Sequence, residues 1–91
     1  MDTGKIISAL NSDVRRKIIQ IVAKEPSNVN EVIEALKKEG YSVKYRETVY
    51  RSLEMLSDAG LLTKGYSKEK GISYKLGIKK ITITLESGEI K

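Results

Sequence analysis

The sequence contains no cysteine, no histidine and a single proline. Without cysteine and histidine, the chain has no disulfide, no thiol nucleophile and none of the zinc sites built from those ligands. It also lacks the side chain that most often transfers protons near neutral pH. Metal-dependent and acyl-transfer chemistry are therefore not expected, and no cofactor or metal ligand is predicted.

Long apolar segments are absent as well. The sequence contains no run of about 18 apolar residues, the length that a membrane-spanning helix needs. The amino-terminal MDTGKIISALNSD also has no basic region followed by a long apolar core, so no secretory signal is predicted. We therefore expect a cytoplasmic protein that contacts no membrane, with residues 1–91 forming one domain around a modest core. Abundant isoleucine, lysine and glutamate beside one proline is a composition typical of a hot-living source.

Positive charge is concentrated in one segment. The chain has 17 lysines and arginines against 12 acids, a net charge of +5. Residues 64–80 contain six lysines and one acid, Glu69, so this segment carries the whole excess. A local basic cluster favours a polyanionic partner.

The spacing of apolar residues predicts helices first and strands last. Helices are expected at about 5–10, 13–24, 29–39 and 44–59, with Asn11 or Ser12 and then Asn28 as cap residues. Ser42 is a further possible cap for the last helix. Two short runs separated by SKEKG predict a β-hairpin at about 61–76, and alternation after Gly77 predicts one more strand at about 78–85. The expected fold class is α+β: a winged helix-turn-helix of three to four helices, a hairpin wing and a C-terminal strand.

Two segments resemble winged-helix transcriptional regulators. TVYRSLEMLSDAGLL, residues 48–62, is similar to their recognition-helix signature. LNSDVRRKIIQIVAKEP resembles the second helix of the arsenical-resistance-repressor-like (ArsR-like) group, and ferric-uptake-repressor-like proteins also carry a TVYR-L pattern. The resemblance implies a sequence-specific, double-stranded-DNA-binding regulator, predicted to be a repressor. Metal-sensing members of both groups use cysteine or histidine ligands, which this chain lacks, so its effector stays open.

Ten side chains are candidates for DNA contact. On the 44–59 helix, the outward stripe is basic and hydrogen-bonding in its first half and acidic in its second, as expected of a helix that enters the major groove by its amino-terminal half. Arg51 is the best candidate for contact with a base edge or a phosphate, because its planar guanidinium can make two parallel bonds to either. The candidates on the helix are Lys44, Arg46, Glu47, Thr48, Tyr50 and Arg51. Those on the wing, expected at the backbone or minor groove, are Lys64, Lys68, Lys70 and Lys75.

Interpretations of the same residues that involve no DNA contact stay open. The stripe could be a solvated helix face, the wing lysines ordinary surface lysines, and Tyr50 a half-buried residue at the core margin. A winged helix can also serve as a protein-interaction module. Arg15, Arg16 and Lys17 begin a helix, where an external anion is a possible partner. No catalytic motif is present, so an enzyme is not expected.

An excess of apolar residues near both ends predicts a homodimer. These residues are Ile6, Ile7, Leu10, Ile81, Ile83, Leu85 and Ile90. A two-fold dimer would bury them and place two recognition helices on a pseudo-palindromic site.

Overall fold

The computed structural model describes residues 3–78, 83–84 and 89–90, the last two pairs and Thr3 by their backbone alone. Four helices come first: α1 (Thr3–Leu10), α2 (Asp13–Lys24), α3 (Val29–Lys38) and α4 (Arg46–Asp58). Strands β1 (Leu62–Ser67), β2 (Gly71–Leu76), β3 (Ile83–Thr84) and β4 (Glu89–Ile90) follow. The predicted α+β winged-helix fold is confirmed.

Helix boundaries follow the local capping chemistry. Ser12 caps α2, its Oγ accepting from the Arg15 amide at 3.3 Å. Asn28 and Glu31 form the predicted capping box of α3, with side-chain-to-amide distances of 2.8 and 2.9 Å. The cap of α4 is Tyr45, whose side chain makes no capping bond, so the prediction of Ser42 was wrong and α4 begins two residues later than expected. The connection between α3 and α4 is longer than expected, because residues 41–45 belong to no helix or strand.

The core lies where helices α2, α3 and α4 meet the base of the hairpin. Its buried apolar side chains include the expected seam of α4 and matching positions on α2 and α3. They are Ile18, Val22, Val32, Leu36, Val49, Leu53 and Leu56, with Tyr74 from β2 fully buried among them. Burial of this apolar face is what holds the short helices in place, since isolated helices of this length are marginal.

The hairpin is antiparallel and is attached to the loop between α2 and α3. Its register runs from Leu62 opposite Leu76 to Ser67 opposite Gly71. Ser27 extends the sheet by an isolated bridge to Tyr74, with backbone N to O distances of 3.0 and 2.8 Å. The hairpin base is thereby fixed in front of α3 and beside α4.

The chain leaves the hairpin through Gly77. Its amide donates to the Leu61 carbonyl at 2.9 Å. A Cβ at this position would lie 3.0 Å from Thr63 Oγ1 and 3.1 and 3.3 Å from the carbonyl oxygens of Gly60 and Leu61. The site therefore has little room for a side chain.

The strand predicted at about 78–85 is only partly recovered. Ile78 is not in a strand, Ile83–Thr84 forms β3, and β3 pairs antiparallel with β4. Residues 79–82 and 85 lie outside the described residues. Side chains of β3 and β4 are likewise not described, so the dimer residues Ile81, Ile83, Leu85 and Ile90 stay untested.

The first arginines of α2 bind the preceding helix. Arg15 donates from Nε to the Ala9 carbonyl at 2.8 Å and from Nη2 to the Ser8 carbonyl at 2.9 Å. Arg16 donates to the Leu10 carbonyl and pairs with Asp13. These side chains satisfy carbonyls at the carboxyl end of α1, and the external anion suggested by the sequence stays a prediction.

Candidate nucleic-acid interface

The outward face of α4 carries five of the six candidates predicted for the helix, and Lys44 lies just before α4 begins. Lys44, Arg46, Glu47, Thr48, Tyr50 and Arg51 are all exposed, with Tyr50 at 40%. Arg51 Nε lies 3.4 Å from Glu47 Oε1, one helical turn away. Both side chains are mostly exposed, so this ion pair adds little stability. It engages only Nε, which leaves the terminal nitrogens of the guanidinium for a second acceptor.

A groove joins the first turns of α3 and α4 to the hairpin. Arg46 Nε donates to Asn30 Oδ1 at 3.2 Å, which links the two helices. The adjoining cavity of about 260 Å³ is lined by Asn30, Arg46 and Tyr50 from the helices and by Lys70 and Ile72 from the hairpin region. The structure thus brings together Arg46, Tyr50 and Lys70. Asn30 was not predicted, because nothing in the sequence indicates which residue of α3 faces α4.

Two of the four wing lysines are used within the protein. Lys64 Nζ contacts both carboxylate oxygens of Glu54, at 2.9 and 3.2 Å. Lys70 Nζ donates to the Pro26 carbonyl at 2.9 Å and lies 3.3 Å from Glu31 Oε1. The sequence does not indicate these acceptors, which lie 10 to 44 residues away, and DNA contact by the two lysines stays a prediction. Lys68 and Lys75 are exposed and have no ion pair within the described part of the chain.

Glu54 is the most connected acid on the outward face of α4. Besides Lys64, it accepts a hydrogen bond from the Tyr74 hydroxyl at 2.7 Å. The Tyr74 bond, followed by that of Lys64, lowers the pKa of Glu54. Burial, followed by the bond to Glu54, raises the pKa of Tyr74 well above its usual range. The carboxylate is therefore ionised and the phenol neutral throughout the neutral range.

Glu31 plays a similar part at the start of α3. Its pKa is lowered first by the hydrogen bond from the Asn28 backbone and then by Lys70. The Lys70 carbonyl also accepts from Asn28 Nδ2 at 3.4 Å. The turn of the hairpin is consequently held against the amino end of α3.

A family model described as the ferric uptake regulator family matches residues 9–90, nearly the whole chain. The chain belongs to this family. Membership makes it a DNA-binding transcriptional regulator and not an enzyme. No curated protein matches the sequence.

Solved structures of ferric uptake regulators have the same fold. The Pseudomonas aeruginosa protein with manganese has a TM-score of 0.67 at 22% identity, covering 100% of this chain and 73% of that one. For the Vibrio cholerae protein the TM-score is 0.68 at 21% identity, covering 98% and 73%. The Helicobacter pylori protein, described as having three functional metal-binding sites, has a TM-score of 0.63 at 14% identity, covering 97% and 65%.

The match does not support the ArsR-like assignment made from sequence. The recognition-helix pattern of residues 48–62 consists largely of the apolar seam and the glycine that ends α4. Those positions are set by packing that winged helices share, so they identify the fold better than the family. The T-V-Y-R segment, common to ferric-uptake-repressor-like proteins, was the more specific signal.

The residues of this chain do not fit a metal site built from histidine or cysteine ligands. The sequence has neither histidine nor cysteine. Over the ranges that the structure describes, no group of three or more acidic residues could hold a metal ion. Within the same ranges, no helix is long and apolar enough to cross a membrane. The acids of the interface instead contact lysine, arginine, tyrosine and backbone amides.

Proposed function

We propose that this regulator is a sequence-specific repressor whose α4 enters the major groove of double-stranded DNA. The observation that carries the proposal is the groove in which Arg46 and Tyr50 of α4 lie beside Lys70 and Ile72 of the wing. A helix and a hairpin presented on one side of the molecule can follow a duplex, with the helix in the groove and the hairpin on the flanking backbone.

Within this arrangement each side chain has a role suited to its chemistry. Arg51 reads a base edge with its terminal nitrogens, while Glu47 holds the guanidinium from the previous turn. Tyr50 and Arg46 bind flanking phosphates, and Lys44 and Thr48 contact the backbone near the start of α4. On the wing, Lys68 and Lys75 bind phosphate. Lys64 and Lys70 support the wing from within, because their ammonium groups already have acceptors.

The experiment starts by selecting preferred duplexes from a random pool and measuring binding by fluorescence anisotropy. Arg51→Ala should cost about 1 to 3 kcal/mol on the selected site and much less on random duplex, because discrimination resides in paired bonds to one base. Lys38→Ala is the matched control. Lys38 is an exposed cation at the far end of α3, with no ion pair in the described part of the chain.

One result would refute the groove assignment: an intact Arg51→Ala variant that binds selected and random duplexes as tightly as the original protein. The outward face of α4 would then be a surface for another protein, the second use to which winged helices are put.

A further inference from the structure

We propose that Glu54 and Tyr74 are positioning residues for DNA binding, setting the place of the wing relative to α4. The inference rests on the proposed function and concerns side chains to which that function gives no contact with DNA. We call the contacts among Glu54, Tyr74 and Lys64 the Glu54 junction.

The junction holds both strands of the wing at one point. Lys64 on β1 and Tyr74 on β2 are directly opposite each other in the hairpin. One carboxylate of α4 binds both, at 2.7 Å to the Tyr74 hydroxyl and 2.9 Å to Lys64 Nζ. Because opposed residues on the two strands share one acceptor, neither strand can shift along α4 without breaking a charge-assisted hydrogen bond.

Tyr74 also connects the wing to the rest of the helix-turn-helix. Its backbone amide and carbonyl pair with Ser27, just before α3, at 2.8 and 3.0 Å. The side chain is fully buried. A single residue therefore joins the wing by its backbone to the loop before α3 and by its hydroxyl to α4.

The position of Glu54 gives the junction a functional consequence. Glu54 lies one turn after Arg51 on the side of α4 assigned to DNA, where a carboxylate would repel phosphate. Lys64 and Tyr74 both donate hydrogen bonds to this carboxylate. Lys64 thereby compensates its negative charge, and the two bonds together orient the hairpin. The wing lysine Lys68 then reaches the duplex from a preset direction, which reduces the ordering cost of binding.

The test compares the effect of Lys68→Ala in two backgrounds. In the original protein, loss of one phosphate contact should lower the slope of log affinity against log salt by about 0.9 per chain. In Tyr74→Phe, which keeps the ring but removes the hydroxyl, the same change should lower the slope by roughly half of that or less. A merely structural role for Tyr74 would lower the thermal midpoint and leave the effect of Lys68→Ala unaltered.

Tyr41→Phe is the matched control background. Tyr41 is partly buried beside the core, and its hydroxyl has no hydrogen bond to any other described residue. In this background Lys68→Ala should have its full effect. If Tyr74→Phe does not fold, Glu54→Gln provides a second background, because it keeps an acceptor for Tyr74 while removing the charge that holds Lys64.

The outcomes separate the two proposals. An undiminished effect of Lys68→Ala in folded Tyr74→Phe and Glu54→Gln would overturn the role of the junction and leave the DNA contact of the wing standing. No effect of Lys68→Ala in the original protein would overturn that DNA contact, and the inference with it.

Discussion

At the scale of single residues, Gly77 has the least freedom to change. The missing side chain allows the backbone to pass the carbonyls of Gly60 and Leu61, which belong to the turn after α4. These carbonyls are backbone atoms and cannot rotate away as the end of a flexible side chain can. The close approach therefore depends on glycine although its backbone angles do not require it.

We expect Gly77→Ala to lower the free energy of unfolding by about 1 kcal/mol or more, because overpacking displaces the α4–β1 turn. Chemical denaturation followed by circular dichroism measures the change. Gly65→Ala is the control, since a Cβ at Gly65 would meet nothing within 4 Å. An equal loss in both variants would exclude crowding at Gly77 as the cause.

At the scale of elements, the helices and hairpin were predictable because their apolar periods differ. The capping box at Asn28 and the seam of Val49, Leu53 and Leu56 could be read from spacing alone. The contacts that Lys64 and Lys70 make within the protein could not be predicted. Their acceptors Glu54, Glu31 and Pro26 are distant in sequence, and a lysine cluster has the same pattern whether it is used inside or outside the molecule.

The two carboxylates that fix the wing also predict its behaviour in acid. The pKa values of Glu31 and Glu54 are both lowered from the usual 4.5 by folding. A lowered pKa stabilises the fold above the unfolded-state value, and this contribution is lost as the pH falls from about 4.5 through the folded-state pKa. The attachment of the wing should therefore weaken in that window and be insensitive to pH in the neutral range.

Urea unfolding at neutral pH and at about pH 3 tests this expectation. The original protein should be less stable at the lower pH. Glu31→Gln and Glu54→Gln should each lose less free energy of unfolding, because each variant lacks one carboxylate whose protonation destabilises the fold. Glu34→Gln, which changes an exposed carboxylate of α3 with no ion pair in the described residues, should behave like the original. Identical losses in all four proteins would exclude both glutamates as the origin.

At the scale of the whole molecule, the family match suggests a metal-responsive regulator, whereas the amino-acid composition provides no histidine or cysteine to bind a metal. Relatives of this fold have been solved with manganese and with iron. Without histidine and cysteine this chain lacks the imidazole and thiolate ligands that suit zinc and iron, and its carboxylates are ligands of the type that suits magnesium, calcium and manganese.

We therefore expect zinc, manganese or ferrous iron at low micromolar concentration to leave DNA affinity unchanged, and a chelator to have no effect. Thiol oxidants should be equally inactive, since there is no thiol to oxidise. Anisotropy titrations with each ion measure this. A rise in affinity on adding metal that the chelator reverses would contradict it and would indicate a site made of carboxylates.

Assembly is the second property at this scale. Of the apolar residues assigned to a dimer interface, Ile6 is fully buried in the core, which corrects its assignment, whereas Ile7 is 55% exposed. We expect a two-fold dimer with recognition helices roughly 34 Å apart.

Sedimentation at roughly tens of micromolar should show dimers, an assay range set by ordinary protein affinities. Ile7→Gln should shift the population toward monomer. If the original protein is purely monomeric over that range, the predicted dimer is wrong, although a single domain could still bind one half-site.

The crowded environment of Gly77 has a genetic consequence. Glycine codons change only silently at their third base, and every single-base missense change at the first or second base introduces a residue with a Cβ atom. Every single-base missense change at codon 77 therefore places a side chain in a crowded site. The same changes at codon 65 place one where a Cβ would meet nothing within 4 Å. In a library of random point mutants selected for repression, substitutions should be common at codon 65 and rare at codon 77.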